Sequence, residues 1–223
     1  MTSPRSILSR PIIGALVLCL AAFAAKAEAP LAPWRDLPAL YDVQDVASDD
    51  VLNVRARPDP RSPIIATLAP DARGIEIVGI DESGKWGMIG LPEATGWVSM
   101  RYLARQPGQD PEALPSPITC FGTEPFWTLG IERNGRAIFS APGEAGEEEK
   151  ALSLLWADIS ANGGPSAYGT VLAGVGIDVQ AVVRRRICYD GMSDRAYGLE
   201  IDAILSDAGT RRLISGCCSL AAH

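Results

Sequence analysis

Three carboxylates occupy positions where they can do chemistry. Glu124 precedes a proline and the aromatic pair Phe126-Trp127, and an apolar neighbourhood favours the protonated carboxyl group that a general acid needs. Asp190 and Asp194 flank a Gly-Met-Ser segment and can serve as an acid–base pair or bind a cation. We favour structural roles instead: Glu124 pairs with an arginine or accepts backbone N–H bonds, and the aspartates hydrogen-bond their own turn.

The histidine content excludes the commonest hydrolase sites. The only histidine is His223, the last of 223 residues. A Ser-His-Asp triad, a Cys-His pair and a His-ligated zinc site all need an internal histidine. The sequence also lacks a Gly-rich phosphate loop, a nucleophile elbow and a metalloprotease helix motif. We therefore expect no enzyme activity, no catalytic residue, no cofactor and no metal.

A second group of residues suits ligand binding. Asn53 and Arg55 are two positions apart on an alternating segment, so they share the solvent face of a strand whose other face is apolar. Trp97 follows a glycine that allows close approach of either backbone or a ligand, whereas we expect Trp86 in the core. The candidate binding residues are Asn53, Arg55, Trp97, Glu124, Trp127, Asp190 and Asp194.

Short β-strands must position these residues. Between 40 and 104, alternating or β-branched runs are separated by turn clusters about every 8 to 12 residues, which predicts a small barrel. From 118 onward, similar runs predict seven or eight antiparallel strands in a barrel or sandwich. Asn134-Gly135 predicts a hairpin turn, and the acidic run 143–150 predicts a solvated loop. No helical periodicity extends over ten residues, so the predicted fold class is all-β.

Residues 1–27 have the features of a secretory signal peptide. A basic start is followed by the apolar run 11–25, whose length as a helix, about 22 Å, is less than the roughly 30 Å of a bilayer core. Ala25-Lys26-Ala27 supplies small residues for cleavage before residue 28, and we expect no lipid on Cys19. The mature protein is expected to be periplasmic or secreted and not to span a membrane.

The net charge and the proline-rich segments indicate the type of partner and the domain boundaries. Removal of 1–27 leaves 17 basic and 27 acidic residues, a net charge of −10, which argues against nucleic acid and favours a cationic partner. Two proline-rich segments, 28–39 and 105–117, predict semi-extended linkers. They delimit one domain at 40–104 and another at 118–223.

Four cysteines remain after export: Cys120, Cys188, Cys217 and Cys218. An even number in an exported chain predicts two disulfides, with three possible connectivities. We discount a Cys217–Cys218 bond because it closes a strained vicinal ring. On a strand these two side chains point to opposite faces, so each needs its own partner.

The first domain resembles the bacterial SH3 domain family. LNVRARPDPRSPIIATL (52–68) is similar to the opening L-N-V-R signature, and KWGMI (85–89), GWVS (96–99) and the closing Tyr102-Leu103 are similar to later elements. The resemblance covers about 41–104. It implies an SH3-like barrel of five or six strands, commonly an accessory module of exported proteins that often associates with the cell wall.

The second domain resembles a family of uncharacterised bacterial envelope proteins. GTEPFWTLGI (122–131), CYDGMSDRAY (188–197) and LISGCC (213–218) carry the resemblance, and Tyr197-Gly198 departs from the family's more frequent Tyr-Pro. Some members are lipoproteins, and some follow a bacterial SH3 domain. The resemblance implies a Cys188–Cys217 disulfide, and Cys120–Cys218 is then the remaining pair.

We therefore expect an all-β protein, with a small SH3-like barrel followed by a second antiparallel barrel or sandwich. Its expected function is that of a periplasmic, non-enzymatic binding protein whose SH3-like module contacts cell-wall peptide or an envelope protein. One alternative is an inhibitor of a cell-wall lytic enzyme, because lysozymes are typically cationic. The least favoured is a hydrolase that uses Glu124 with Asp190 or Asp194. The sequence does not indicate an oligomeric state.

Overall fold

The computed structural model describes residues 36–143, 146–161 and 166–220. The predicted signal peptide, Cys19 and most of the first predicted linker lie outside these residues. The described chain forms β-strands and turns, with a short 3₁₀ helix at Met100–Tyr102 and no α-helix within those three ranges. No helix in this part of the chain is long and apolar enough to cross a membrane.

The first eight strands form two small antiparallel sheets, hereafter the two-sheet unit. The three-stranded sheet has the order β4-β1-β8, and the five-stranded sheet has the order β3-β2-β7-β6-β5. Alternation along the strands buries a small core that includes Leu52, Val54, Ile77, Ile89 and Val98. The strands are β1 (Ala39–Val43), β2 (Leu52–Arg55), β3 (Ile64–Leu68), β4 (Ile75–Ile77), β5 (Gly79–Ile80), β6 (Trp86–Gly90), β7 (Thr95–Ser99) and β8 (Leu103–Arg105).

The last eight strands form a closed antiparallel barrel, hereafter the barrel. Each strand pairs with the next, and β16 closes the barrel on β9. In β10, buried Trp127, Leu129 and Ile131 alternate with the exposed Phe126 and Thr128, which directs every second side chain inward. The strands are β9 (Ile118–Thr123), β10 (Phe126–Ile131), β11 (Arg136–Gly143), β12 (Gly146–Ile159), β13 (Ala167–Gly174), β14 (Ile177–Tyr189), β15 (Ala196–Asp207) and β16 (Thr210–Ser219). The predicted all-β class is confirmed, and the second region is a barrel.

Both predicted disulfides are confirmed. Cys120–Cys218 joins the neighbouring strands β9 and β16 with a Cα–Cα distance of 3.9 Å, and both residues belong to the barrel core. Cys188–Cys217 joins β14 to β16 with a Cα–Cα distance of 5.6 Å. Adjacent cysteines of one strand thus have different partners, as alternation requires.

The two-sheet unit packs on the barrel, and both belong to one compact unit, Leu31–His223. Glu76, which is 9% exposed, accepts hydrogen bonds from the Ser219 hydroxyl and from the backbone N–H of Leu220 at 3.0 Å. The Thr95 hydroxyl donates to the carbonyl of Asp194 at 2.7 Å and accepts from the N–H of Ala196 at 2.8 Å. Part of this contact is therefore made by hydrogen bonds between polar groups.

The second predicted linker, 105–117, is packed rather than extended as a free spacer. The side chain of Gln109 accepts from the N–H of Leu40 at 2.7 Å and donates to the carbonyl of Leu40 at 2.8 Å. It thereby satisfies both backbone groups of one residue of β1. The hydroxyl of Tyr168, on the barrel, donates to the carbonyl of Pro111 at 2.6 Å.

Two local predictions need correction. The predicted acidic loop is wrong over 146–150, because these residues begin β12 and pair with β11, where Pro142 lies opposite Glu147. Ladder pairing satisfies the backbone there, and the carboxylate of Glu147 accepts a hydrogen bond from the buried hydroxyl of Ser140. The predicted hairpin is present between β10 and β11, but Gly135 lies after its central residues, with φ 81° and its N–H bonded to the carbonyl of Glu132.

Candidate functional site

The β14–β15 hairpin ends in an arm, residues 188–197, that lies over neighbouring strands. The register of β14 with β15 shifts between Arg185 and Cys188, and Cys188 then reaches past β15 to form its disulfide on β16. On β9, the hydroxyl of Thr123 donates to the carbonyl of Asp190 at 2.8 Å. The alternation of β9 points Thr123 away from the barrel core, so the arm covers part of the outer surface.

Asp190 holds the tip of the arm. Its carboxylate accepts hydrogen bonds from the backbone N–H groups of Met192 and Ser193, both at 3.0 Å, and from the hydroxyls of Ser193 and Tyr197. Burial raises the pKa of Asp190, but these hydrogen bonds outweigh it, and the net pKa is lowered. The predicted turn role of Asp190 is therefore confirmed, and its carboxylate is negatively charged at neutral pH.

A cleft of about 730 Å³, hereafter the aromatic cleft, lies between the arm and strands β9 to β12. Phe126 is 56% exposed in it, whereas Tyr197 is 6% exposed and packs edge-on against Phe121 with ring centroids 4.9 Å apart. The lining includes two carboxylates and no lysine or arginine. Its principal side chains are Phe121, Phe126, Trp127, Tyr197, Asp190 and Glu147.

A second cleft of about 440 Å³, hereafter the acidic cleft, adjoins the first and shares Phe121, Gly122, Thr123 and Asp190 with it. Four carboxylates line it. Two of them have arginine partners outside the lining, since Arg184 contacts Asp202 at 2.7 Å and Arg186 contacts Glu200 at 3.6 Å. The four carboxylates are those of Glu124, Asp190, Glu200 and Asp202.

Trp127 is a wall of the aromatic cleft rather than an exposed binding residue. It is 4% exposed and stacks on Phe139 with ring centroids 6.2 Å apart. A Cβ atom on Gly122 would lie 2.2 Å from Nε1 of Trp127, so glycine is required for the indole to lie against β9. Phe126, the preceding residue, is the one whose ring is open to a ligand.

The predicted binding residues of the first domain lie on another surface, the outer face of the five-stranded sheet. Asn53, Arg55 and Trp97 are half-buried, and Arg55 lies directly opposite Trp97 across β2 and β7. Met88 lies opposite Trp97 on the other side, which extends the row. Trp86 lies on this face as well and is half-buried, so its predicted place in the core is wrong.

The carboxylates proposed for catalysis are divided between different surroundings. Glu124 is exposed and shares the acidic cleft with Asp190, whereas Asp194 lines neither cleft and supplies its carbonyl to the contact with Thr95. Because the carboxylate of Asp190 is engaged in its own turn, an acid–base pair with Asp194 has no geometric support. Across 36–143, 146–161 and 166–220, no cluster of three His, Cys, Asp or Glu residues is arranged to hold a metal ion.

Four of the principal side chains of the aromatic cleft are not among the binding residues predicted from the sequence: Phe121, Phe126, Tyr197 and Glu147. Phe121 has the outward position of an alternating strand, and Tyr197 belongs to the motif that follows Cys188. The predicted Cys188–Cys217 bond was the one signal that could have brought them together, because it forces the arm across β15. Glu147 carried no such signal.

Compared with models of known protein families, the chain matches none, and no curated protein has a matching sequence.

Proposed function

We propose that the protein is an exported, non-enzymatic binding protein of the bacterial envelope that binds amine-bearing cell-wall peptide through the barrel. The observation that carries the proposal is the aromatic cleft opening onto the acidic cleft. Export is supported by the signal-peptide features of 1–27 and by the two disulfides, which form in oxidising compartments.

The chemistry of the two clefts favours a ligand with an apolar part and a positive charge. Phe126, 56% exposed, offers ring surface for apolar contact and cation–π attraction. Tyr197 is buried beneath the guanidinium of Arg195, 4.9 Å from the ring centroid, and forms part of the cleft wall. Asp190, at the boundary of the clefts, supplies a negative charge, and the net charge of −10 adds to the attraction. Peptides of the cell wall carry free amino groups on short aliphatic side chains and have this combination.

The two-sheet unit supplies a second contact in this proposal. Its sequence resembles bacterial SH3 domains, and Asn53, Arg55 and Trp97 form an open row on one face. Arg55 donates to the carbonyl of Ser62 at 2.7 Å, which restricts its guanidinium on the face that it shares with Trp97. Such a row suits a weak contact with the same cell-wall peptide or with an envelope protein.

The experiment is co-sedimentation of the intact protein with purified cell-wall sacculi, before and after acetylation of their amino groups. We expect acetylation to abolish most of the binding, because it removes the positive charge without changing the glycan. Phe126→Ala and Glu124→Gln are each expected to weaken binding about three- to thirtyfold, the loss for one aromatic or charged contact. Equal binding to acetylated and native sacculi would contradict the proposal.

Matched controls come from exposed residues outside both clefts. Leu155, 64% exposed on β12, is the control for Phe126, and Glu93 of the two-sheet unit is the control for Glu124. Leu155→Ala and Glu93→Gln are expected to leave sedimentation unchanged. Trp97→Ala separates the contribution of the two-sheet unit.

A second candidate function is inhibition of a cationic lytic enzyme. The start of β12 carries Glu147, Glu148 and Glu149, all exposed, and Glu147 also lines the aromatic cleft. An acidic strand beside a cleft suits a cationic enzyme surface. The test is to measure lysozyme activity after addition of the unmodified protein or of the variant in which Glu147, Glu148 and Glu149 are all replaced by Gln. Inhibition by the unmodified protein but not by the variant would favour this function over sacculus binding.

A further inference from the structure

A third cavity, hereafter the arginine pocket, lies between the two-sheet unit, the packed linker and the barrel. It has a volume of about 290 Å³. Three arginines from separate elements line it: Arg105 ends β8, Arg133 belongs to the β10–β11 turn, and Arg185 belongs to β14. Nothing in the proposed function uses this cavity, which is distinct in its lining from both clefts.

The arginine pocket is electropositive in a protein of strongly negative charge. Its lining has three arginines against one carboxylate, Asp110, an excess of two positive charges. Asp36 lies next to Arg105, and its backbone carbonyl accepts a hydrogen bond from Arg105 at 3.4 Å. If the carboxylate of Asp36 is counted as well, an excess of one positive charge remains. The carboxylate of Asp110 accepts from the N–H of Glu112 at 2.9 Å and so belongs to its own turn.

The arginines keep donors for a ligand. Arg185 donates through Nε to the Tyr168 hydroxyl at 2.6 Å and through Nη1 to the carbonyl of Pro38 at 3.4 Å. These contacts use two of its five N–H donors, and the contact with Asp36 uses one donor of Arg105. Tyr168 also lies beneath the Arg185 guanidinium, 5.4 Å from it, so the group is held in place before any ligand arrives.

Ser116 supplies an independent observation. It lines the arginine pocket, and among the described residues its buried hydroxyl oxygen has no hydrogen-bond partner. A buried hydroxyl without a hydrogen-bond partner is unfavourable, and a bound acceptor would supply the missing partner. A hydroxyl and several guanidinium donors around one small cavity match the acceptors of an oxyanion.

We propose that the arginine pocket binds a small oxyanion, a free carboxylate or a phosphate group, through Arg105, Arg133, Arg185 and Ser116. The site is independent of the aromatic and acidic clefts. Because it is lined by the two-sheet unit, the linker and the barrel together, a bound anion also fastens these three parts.

The test is isothermal titration of the intact protein with inorganic phosphate and, separately, with N-acetyl-Ala-Ala, whose only charge is its terminal carboxylate. Binding of either anion supports the site, and the better ligand identifies the source of the oxyanion. The C-terminal amide of the same dipeptide lacks the charge and is expected not to bind. Failure of both anions to bind would overturn the proposal.

Variants localise the binding. Arg133→Gln and Arg105→Gln, both at exposed residues, are each expected to weaken binding about tenfold, and Ser116→Ala a few-fold. Arg57→Gln, an exposed arginine outside the arginine pocket, is the matched control. Since Arg185 also has a structural role with Tyr168, it is left unchanged. Binding of the anion with undiminished affinity to the Arg105→Gln/Arg133→Gln double variant would also overturn the proposal.

Discussion

The barrel and the two-sheet unit are built with very different degrees of constraint. The strands of the barrel reach 14 residues and are joined by two disulfides, whereas those of the two-sheet unit have two to five residues and no cysteine lies between 40 and 104. The clefts occur where the barrel is most constrained, beneath an arm fastened by Cys188. The candidate residues of the two-sheet unit lie instead on an open sheet face.

This difference has a functional consequence. A cleft whose walls are fixed before binding loses little conformational entropy when a ligand enters, so it suits specific recognition. An open face with a single arginine–tryptophan pair suits a weak contact that gains strength when it acts together with a second site on one chain. The barrel therefore carries specificity in our proposal, and the two-sheet unit adds avidity.

The largest effect is expected when the disulfides are removed. This change tests whether the barrel depends on covalent cross-links for its stability. Cys120–Cys218 closes a loop of 98 residues and Cys188–Cys217 one of 29. The chain-entropy model gives about 4.7 and about 3.6 kcal/mol for such loops, and measured values are often lower. We expect Cys→Ser replacement of either pair to lower the melting temperature measured by calorimetry, more for the pair Cys120–Cys218.

The same variants separate stability from binding. Replacement of Cys188 and Cys217 releases the arm and is expected to weaken sacculus binding even at temperatures where the barrel remains folded. Replacement of Cys120 and Cys218, buried in the barrel core, is expected to change stability more than affinity. Equal loss of affinity in both variants at low temperature would show that the arm has no special part in the site.

The next effect concerns the contact between the two regions. Glu76→Ala removes the acceptor of the Ser219 hydroxyl and of the Leu220 N–H, both buried. Two buried donors lose a partner, and we expect a loss of about 1–3 kcal/mol in the free energy of unfolding, measured with denaturant. Glu82→Ala, an exposed glutamate of the same unit, is the control. Glu76→Gln keeps an acceptor and is expected to recover part of the loss.

Much of the fold could be predicted because its determinants are local. Leu52-Asn53-Val54-Arg55 alternates apolar and polar residues, and the structure has a strand with that pattern of burial. Cys217 and Cys218 required different partners for the same reason. The predicted core position of Trp86 is wrong because alternation sets which residues share a face of the strand but not which face is buried. In β6 the buried face is that of Gly87 and Ile89.

The candidate site was predictable only in part because its assembly is tertiary. Asp190 and Trp127 were singled out from their motifs, and both line the aromatic cleft. The bulge before Cys188 and the crossing of the arm over β15 depend on contacts between distant strands. The same holds for Glu147, whose acidic neighbours indicate a loop until the pairing with β11 is known.

A smaller effect is expected from two turns, one in each region, that are held by an aspartate side chain. Asp81 accepts bonds from Ser83, Lys85 and Trp86, much as Asp190 does in the arm. For both aspartates burial raises the pKa, but the hydrogen bonds lower it by more, so the net pKa is depressed. A depressed pKa contributes stability that is full above the unfolded value, about 3.9, and is lost as pH falls through the folded value.

We therefore expect both turns to loosen below about pH 4, as measured by amide hydrogen exchange. At neutral pH, Asp190→Ala and Asp81→Ala should each cost about 0.5–1.5 kcal/mol, with Asp81 at the lower end because its turn is more exposed. Only Asp190→Ala is expected to weaken sacculus binding. Unchanged binding in Asp190→Ala would separate the arm from ligand recognition.

The smallest effect concerns the packed linker between the two regions. Composition alone predicts an exposed, semi-extended spacer over 105–117 that proteases cut readily. The side chain of Gln109 instead pairs with the backbone of Leu40 and donates to the carbonyl of Gln106 at 2.9 Å.

Gln109→Ala removes these bonds without touching either core, so we expect a change in unfolding free energy below about 1 kcal/mol. Local opening of the linker should rise about fivefold, and limited proteolysis within 105–117 should accelerate by the same factor, since cleavage follows the population of the open form. Glu112→Ala, an exposed residue of the same segment, is the control and should leave the rate unchanged. If the unmodified protein is cut in this segment as fast as the Gln109→Ala variant, the bonds of Gln109 do not hold the linker.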